Sequence, residues 1–109
     1  MPYLGAFEQL ILFSVLQLKG EAYGVSIREN IEEQTGRTVS VGAIYTTLGR
    51  LEERGLARSR SEENRGRTGR PRKYYALTSE GARDLRDSYA SLQSMAGGLT
   101  AELDSLAES

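Results

Sequence analysis

One run of apolar spacing near the C-terminus sets the tightest limit on the fold. Ala82, Leu85, Tyr89, Leu92, Ala96, Leu99, Leu103 and Leu106 follow one another at alternating steps of 3 and 4. That is a heptad repeat, the pattern of a helix that buries one narrow stripe against another helix. A chain of 109 residues has room for one small domain with a modest core. Such a domain cannot cover so long a stripe, and a second copy of the chain is the economical partner. Gly97 and Gly98 interrupt the repeat, and a helix-interior glycine costs about 1 kcal/mol against Ala. The spacing therefore predicts a dimerisation helix over residues 79–109, capped by Thr78 or Ser79 and kinked at the glycine pair. Its seam is Leu85, Tyr89, Leu92, Ala96 and Leu99.

Upstream, three shorter periodic segments read as helices. Residues 4–18 are apolar around most of the circumference, which suits a helix buried on more than one side. It fits between the core and a partner subunit, with Leu10 in the partner-facing set. Residues 22–36 repeat Tyr23, Ile27 and Ile31 and stop at Gly36; Arg28, Glu29, Glu32 and Glu33 are their solvated face. Residues 37–39 read as a connector with a single strand pairing. Residues 40–56 place Val41, Ile44, Leu48 and Leu51 on one helical face, with Ser40 as N-cap and Gly55 as stop. The opposite face carries Ala43, Thr46, Thr47, Arg50 and Arg54, with Tyr45 beside the apolar stripe. Two short helices and a tight connector, the second helix small and hydroxylated outside, make a helix-turn-helix.

After Leu56 the period changes from 3.6 to 2. Residues 56–61 and 72–78 read as two strands joined by the Gly- and Arg-rich stretch 64–69, with Pro71 at the mouth of the return. Tyr75 and Leu77 fall on one face of the second strand, Tyr74 and Ala76 on the other. Arg65, Arg67 and Arg70 sit at the tip and Arg72 and Lys73 on the stem, placed to reach phosphates or a minor groove. The fold class is mainly α with a small β-hairpin: a winged helix-turn-helix over residues 1–78 and a C-terminal dimerisation helix over 79–109. The candidate DNA-binding set is Ser40, Ala43, Tyr45, Thr46, Thr47 and Arg50 with the five wing cations.

Charge and composition agree with that assignment once position is considered. The net charge is −1, which is not the signature of a uniformly basic nucleic-acid binder. Residues 58–73 nevertheless hold seven basic side chains against Glu62 and Glu63, whereas residues 80–109 are acidic. Cysteine and histidine are both absent, which removes disulfides, thiolate or imidazole metal ligation, cysteine nucleophiles and histidine acid/base catalysis. No Gly-rich phosphate loop follows a strand, and no carboxylate pair marks a cleft. The expectation is a non-enzyme without cofactor or metal. The run Leu10–Leu18 is too short and interrupted to span a bilayer, and no basic segment precedes an apolar one at the N-terminus. A cytoplasmic, non-membrane protein is expected.

The segments LGAFEQLILFSVL, AYGVSIRENIE, SVGAIYTTLGRLEERGL and above all GRPRKYYALTSEG at 69–81 resemble the PadR family of bacterial transcriptional regulators. The resemblance runs from about Leu4 to Gly81 and points to the short-tailed branch. It implies a winged helix-turn-helix homodimer on double-stranded, palindromic operator DNA, acting as a repressor that an apolar small-molecule effector releases. It places Tyr45 and Thr46 at the DNA, and Arg70, Arg72 and Lys73 in the wing. Some short-tailed relatives hold flat apolar drugs with a tryptophan from each subunit; this chain has no Trp. The alternative left open by the residues alone is a winged-helix module that binds protein rather than DNA.

Overall fold

The computed structural model describes residues 3–62 and 71–109. Three helices come first: α1 (Ala6–Gln17), α2 (Gly24–Thr35) and α3 (Val41–Glu53). They are followed by a hairpin of β1 (Ala57–Glu62) and β2 (Arg72–Leu77), then α4 (Ser79–Ala96) and α5 (Thr100–Ala107). Local chemistry sets the boundaries. The Glu8 carboxylate accepts from the Gly5 N–H at 2.9 Å, fixing the start of α1. Gly36 takes a left-handed φ of 74° and closes α2. The Ser40 hydroxyl accepts from the Ala43 N–H at 3.0 Å and opens α3. The third helix ends at Glu53, just before the expected stop at Gly55, which is left-handed at φ 77°. The Leu56 N–H then returns to the Leu51 carbonyl at 2.9 Å and the Gly55 N–H to Glu52 at 3.0 Å. This double closure turns the chain from helix into strand within two residues.

The strands pair antiparallel from Ala57 opposite Leu77 to Glu62 opposite Arg72. No strand forms at residues 37–39, contrary to expectation. The backbone bond to the hairpin comes instead from the segment before α2, where the Tyr75 N–H donates to the Ala22 carbonyl at 2.9 Å. Tyr74 and Tyr75 point to opposite faces, yet both are buried. Tyr75 joins the main core, and Tyr74 packs edge-on to Tyr23 with centroids 5.7 Å apart. A hairpin with cover on both sides buries both parities of its strand, which alternation alone does not reveal.

Ile11, Leu12 and Val15 of α1, Ile27 and Ile31 of α2, and Ile44, Leu48 and Leu51 of α3 form the core, closed by Leu4, Leu56 and Leu85. Leu85 was expected on a dimer seam, but only 3% of it is exposed and it packs inside this chain. The reason is how α4 is anchored. The Leu4 N–H donates to the Ser88 hydroxyl at 3.1 Å, and the Gln9 side-chain amide donates to the Leu4 carbonyl at 2.9 Å. A Cβ at Gly81 would strike the Leu56 backbone, so the start of α4 lies directly on the hairpin's entrance. The first half of α4 thus belongs to the same core as the winged helix. The C-terminal stretch is not one helix: it breaks at Gly97 and Gly98, with Gly98 at φ 78°, and α5 follows with no buried residue.

Candidate nucleic-acid interface

With Ile44, Leu48 and Leu51 committed to the core, α3 turns Ala43, Thr46 and Arg50 to solvent and leaves Thr47 half-buried. Added Cβ atoms at Gly42 and Gly49 would meet nothing within 4 Å. The outer face of α3 is therefore low and open, the relief that lets a helix backbone approach a groove. Arg50 makes no hydrogen bond or ion pair among the described residues, so its guanidinium is free to meet an external acceptor.

The other expected residues divide. The Ser40 hydroxyl is occupied as the cap of α3. Arg54 does not pair with the neighbouring Glu53; it reaches Glu8 of α1 at 2.9 Å and ties the two helices. Tyr45 is part exposed and bridges elements: its hydroxyl oxygen accepts from the Gly24 N–H at 3.1 Å, and its ring lies 6.5 Å from that of Tyr75. A side chain at position 24 would collide with the Tyr45 ring, so the glycine at the start of α2 is what lets Tyr45 lie there. The O–H of Tyr45 remains a donor beside the N-terminus of α2, where the helix dipole favours an anion. Burial, with Glu52 and Tyr45 nearby, pushes the Tyr75 phenol above its ordinary value.

Of the wing cations, Arg65, Arg67 and Arg70 lie outside the described residues. Arg72 and Lys73 are exposed on the stem. The Arg72 guanidinium stands 4.1 Å over the Tyr23 ring. Its hydrogen bond to Tyr74, with smaller contributions from nearby tyrosines, raises its pKa further, so its charge is permanent. Arg60 stacks over Tyr74 at 4.7 Å, donates to the Gly20 carbonyl at 3.1 Å and pairs with Glu62. Arg72 over Tyr23, Tyr23 edge-on to Tyr74, and Arg60 over Tyr74 form one cluster that fastens the hairpin stem to the start of α2. Sequence reasoning gave Tyr23 and Arg60 no part in this. Residues 23, 60, 72 and 74 share no spacing, and only the register of the hairpin brings them together.

Residues 12–87 match the transcriptional regulator PadR-like family. The chain belongs to that family. Solved relatives agree in fold. A PadR family transcriptional regulator from Eggerthella lenta is 32% identical over 87% of this chain and 81% of that one, with a TM-score of 0.69. A transcriptional regulator from Thermoplasma acidophilum is 27% identical over 92% and 90%, with a TM-score of 0.71. The Bacillus subtilis PadR in complex with operator DNA is 29% identical over 76% of this chain and 46% of its own longer chain, with a TM-score of 0.64. No curated protein matches. This PadR-like chain is thus a winged-helix member of a family of transcriptional regulators, which are not enzymes. No helix among its described residues is long and apolar enough to cross a membrane.

Proposed function

We propose that this PadR-like regulator binds double-stranded DNA as a homodimer, inserting α3 into the major groove with the hairpin alongside. The observation that carries this is the outer face of α3: an Arg50 without a partner among the described residues, beside Ala43, Gly42, Thr46 and Gly49, on a helix whose Ile44, Leu48 and Leu51 are buried. Arg favours guanine O6 and N7, and small neighbours let it reach them. The five wing cations supply phosphate contacts, which neither the acidic tail nor a protein-binding role requires. Thr47 and Tyr45 flank Arg50, and Ser40 acts by capping the helix.

The partner is a second copy. Tyr89, Leu92 and Leu99 remain exposed on the C-terminal helices, with Leu103 and Leu106 at 61% and 65%. An isolated eight-residue helix is marginal in water, so α5 needs a neighbour that its own chain does not give it. Ala96 continues the seam. Leu10 lines a groove on α1 together with Phe13, Tyr89 and Leu92, continuous with that surface. Two-fold symmetry then presents two copies of α3 to a palindromic operator with half-sites one helical turn or a multiple apart. The regulator acts as a repressor released by an apolar effector, in the cytoplasm where its operator lies. Residues 1–78 carry DNA recognition and 79–109 dimerisation, with the first half of α4 serving both.

A gel shift against the upstream region of its own gene, repeated across a salt series, tests this. The expected result is a sequence-selective complex whose affinity falls steeply with salt, by nearly one log–log unit per phosphate neutralised. A complex that is insensitive to salt or to sequence would overturn it.

A further inference from the structure

A two-stranded hairpin has little stability of its own in water, so its direction is set by what fastens it. At its base the hairpin is held by the core. Ala57 and Tyr75 are buried there, and the Tyr75 N–H donates to the Ala22 carbonyl at 2.9 Å. The Ser59 hydroxyl donates to the Glu52 carboxylate of α3 at 2.7 Å. Nearer the tip the register brings the pairs Arg60–Tyr74 and Glu62–Arg72. There Arg60, Tyr74 and Arg72 all hold one place, the turn between α1 and α2. Arg60 donates to the Gly20 carbonyl at 3.1 Å and lies over the Tyr74 ring at 4.7 Å. Tyr74 meets Tyr23 edge-on, and the Arg72 guanidinium lies 4.1 Å over the Tyr23 ring. Tyr74 and Arg72 are two residues apart on β2 and so share a face, and Tyr23 touches both. The next residue, Gly24, holds α3. Its N–H donates to the Tyr45 hydroxyl oxygen at 3.1 Å, and its missing Cβ leaves room for the Tyr45 ring. Consecutive residues at the start of α2 therefore hold the hairpin stem and the outward-facing helix.

We propose that Tyr23 is a positioning residue for DNA binding: without touching DNA, it holds Arg72 and so sets the hairpin stem at the reach from α3 that one duplex requires. This rests on the DNA-binding reading above. A guanidinium stacked on a ring by its face keeps its N–H edge outward. Arg72 is exposed, so that edge is offered to a phosphate already oriented. A free arginine would first have to give up its rotamer freedom, and pre-organisation removes that cost from binding. The ring is the part of Tyr23 that acts, since its hydroxyl makes no hydrogen bond among the described residues. Arg60 braces the same cluster from the other strand, through Tyr74 and the Gly20 carbonyl. With Gly24 seating Tyr45, the separation of the stem from α3 is fixed by the geometry of a single peptide link rather than by the length of a loop.

The experiment measures binding of the full chain and its variants to a duplex from the upstream region of its own gene, across a salt series and well below each thermal midpoint. Tyr23→Ala is expected to weaken binding about tenfold and to flatten the log–log salt slope by nearly one unit, the release that one phosphate contact accounts for. Tyr23→Phe keeps the ring and binds like the wild type. Arg72→Ala loses the same contact directly, so Tyr23→Ala combined with Arg72→Ala binds no more weakly than Arg72→Ala alone. Ile31→Val, in the core at the other end of α2, lowers the thermal midpoint and leaves the slope unchanged. In the free protein, Tyr23→Ala moves the Arg72 side-chain resonances out of the ring current. The proposal is overturned if Tyr23→Ala keeps the wild-type affinity and slope, or if Tyr23→Phe binds as weakly as Tyr23→Ala, which would make the hydroxyl a DNA contact. It is equally overturned if the losses of Tyr23→Ala and Arg72→Ala add, or if Ile31→Val flattens the slope as much. A wild type that binds no duplex, with the Arg72 resonances still moving in Tyr23→Ala, overturns the DNA-binding reading and leaves only the fastening of Arg72 by Tyr23.

Discussion

The two halves of the C-terminal helical stretch carry one heptad pattern and meet opposite fates. Leu85 lies in the core of its own chain, and Ser88 beside it accepts the Leu4 N–H. Beyond Tyr89, whose ring meets Phe13, the same stripe is exposed, with Leu92 at 51% and Leu103 at 61%. The sequence spacing is identical, so spacing did not decide. What decides is Leu4, two residues before α1, which is held against the first half of α4 by its bond to Ser88. A heptad stripe states that a helix has a face to bury. Which neighbour covers it depends on the reach of the other elements. Arg50 on α3 and Arg54 at its C-terminal cap repeat the contrast: Arg54 is satisfied by Glu8 of its own chain, and Arg50 has no partner among the described residues.

If the first half of α4 is core, Leu85→Ala lowers folding stability by about 3 kcal/mol, as expected of a buried leucine. Urea denaturation measures this, and the loss is the same at every protein concentration. A loss below about 1 kcal/mol would place Leu85 outside the core. If the second half is a subunit surface, Leu99→Asp with Leu103→Asp leaves each chain folded but weakens dimerisation by at least about a hundredfold, or roughly 2.7 kcal/mol. Sedimentation across a concentration series reads it, and a double mutant that associates like the wild type removes this face from the interface. On α3, Arg50→Ala changes the preferred base at one position of each half-site by about 2 kcal/mol, the scale of one bidentate guanine contact. Selection from a random DNA pool shows this, and an unchanged consensus would reduce Arg50 to a phosphate contact.

Much of this was legible in the chain because short-range chemistry carried it. Gly36, Ser40 and Gly55 punctuate α2 and α3 where their side chains, or lack of them, require it. The switch from period 3.6 to 2 located the hairpin within a residue at each strand. What escaped depended on contacts between distant residues. The pairing of Tyr75 with Ala22 replaced the strand expected at 37–39, and Gly24 yields to Tyr45 across 21 residues. The Arg72–Tyr23–Tyr74–Arg60 cluster exists only once the hairpin register is set. The DNA-facing set was readable in outline, since α3 has one apolar face and the other had to face outward. The free or bound state of each cation on it was not, because Glu8 is 46 residues from the arginine it holds.

That last point gives the smallest expected effect and the sharpest use of the Arg50–Arg54 contrast. Arg54 and Glu8 are both part exposed, so their ion pair is screened by water and is worth well under about 1 kcal/mol. Arg54→Ala should therefore lower stability by a few tenths of a kcal/mol by the same general estimate, and that small loss should shrink as salt is added. DNA affinity and sequence preference should not move, because the guanidinium faces α1 rather than the outer surface of the helix. A gel shift and a denaturation curve on the one variant suffice. If Arg54→Ala weakens DNA binding as much as Arg50→Ala does, the ion pair with Glu8 opens on DNA binding, and the division of α3 into a self-satisfied end and a free end holds only for the protein without DNA.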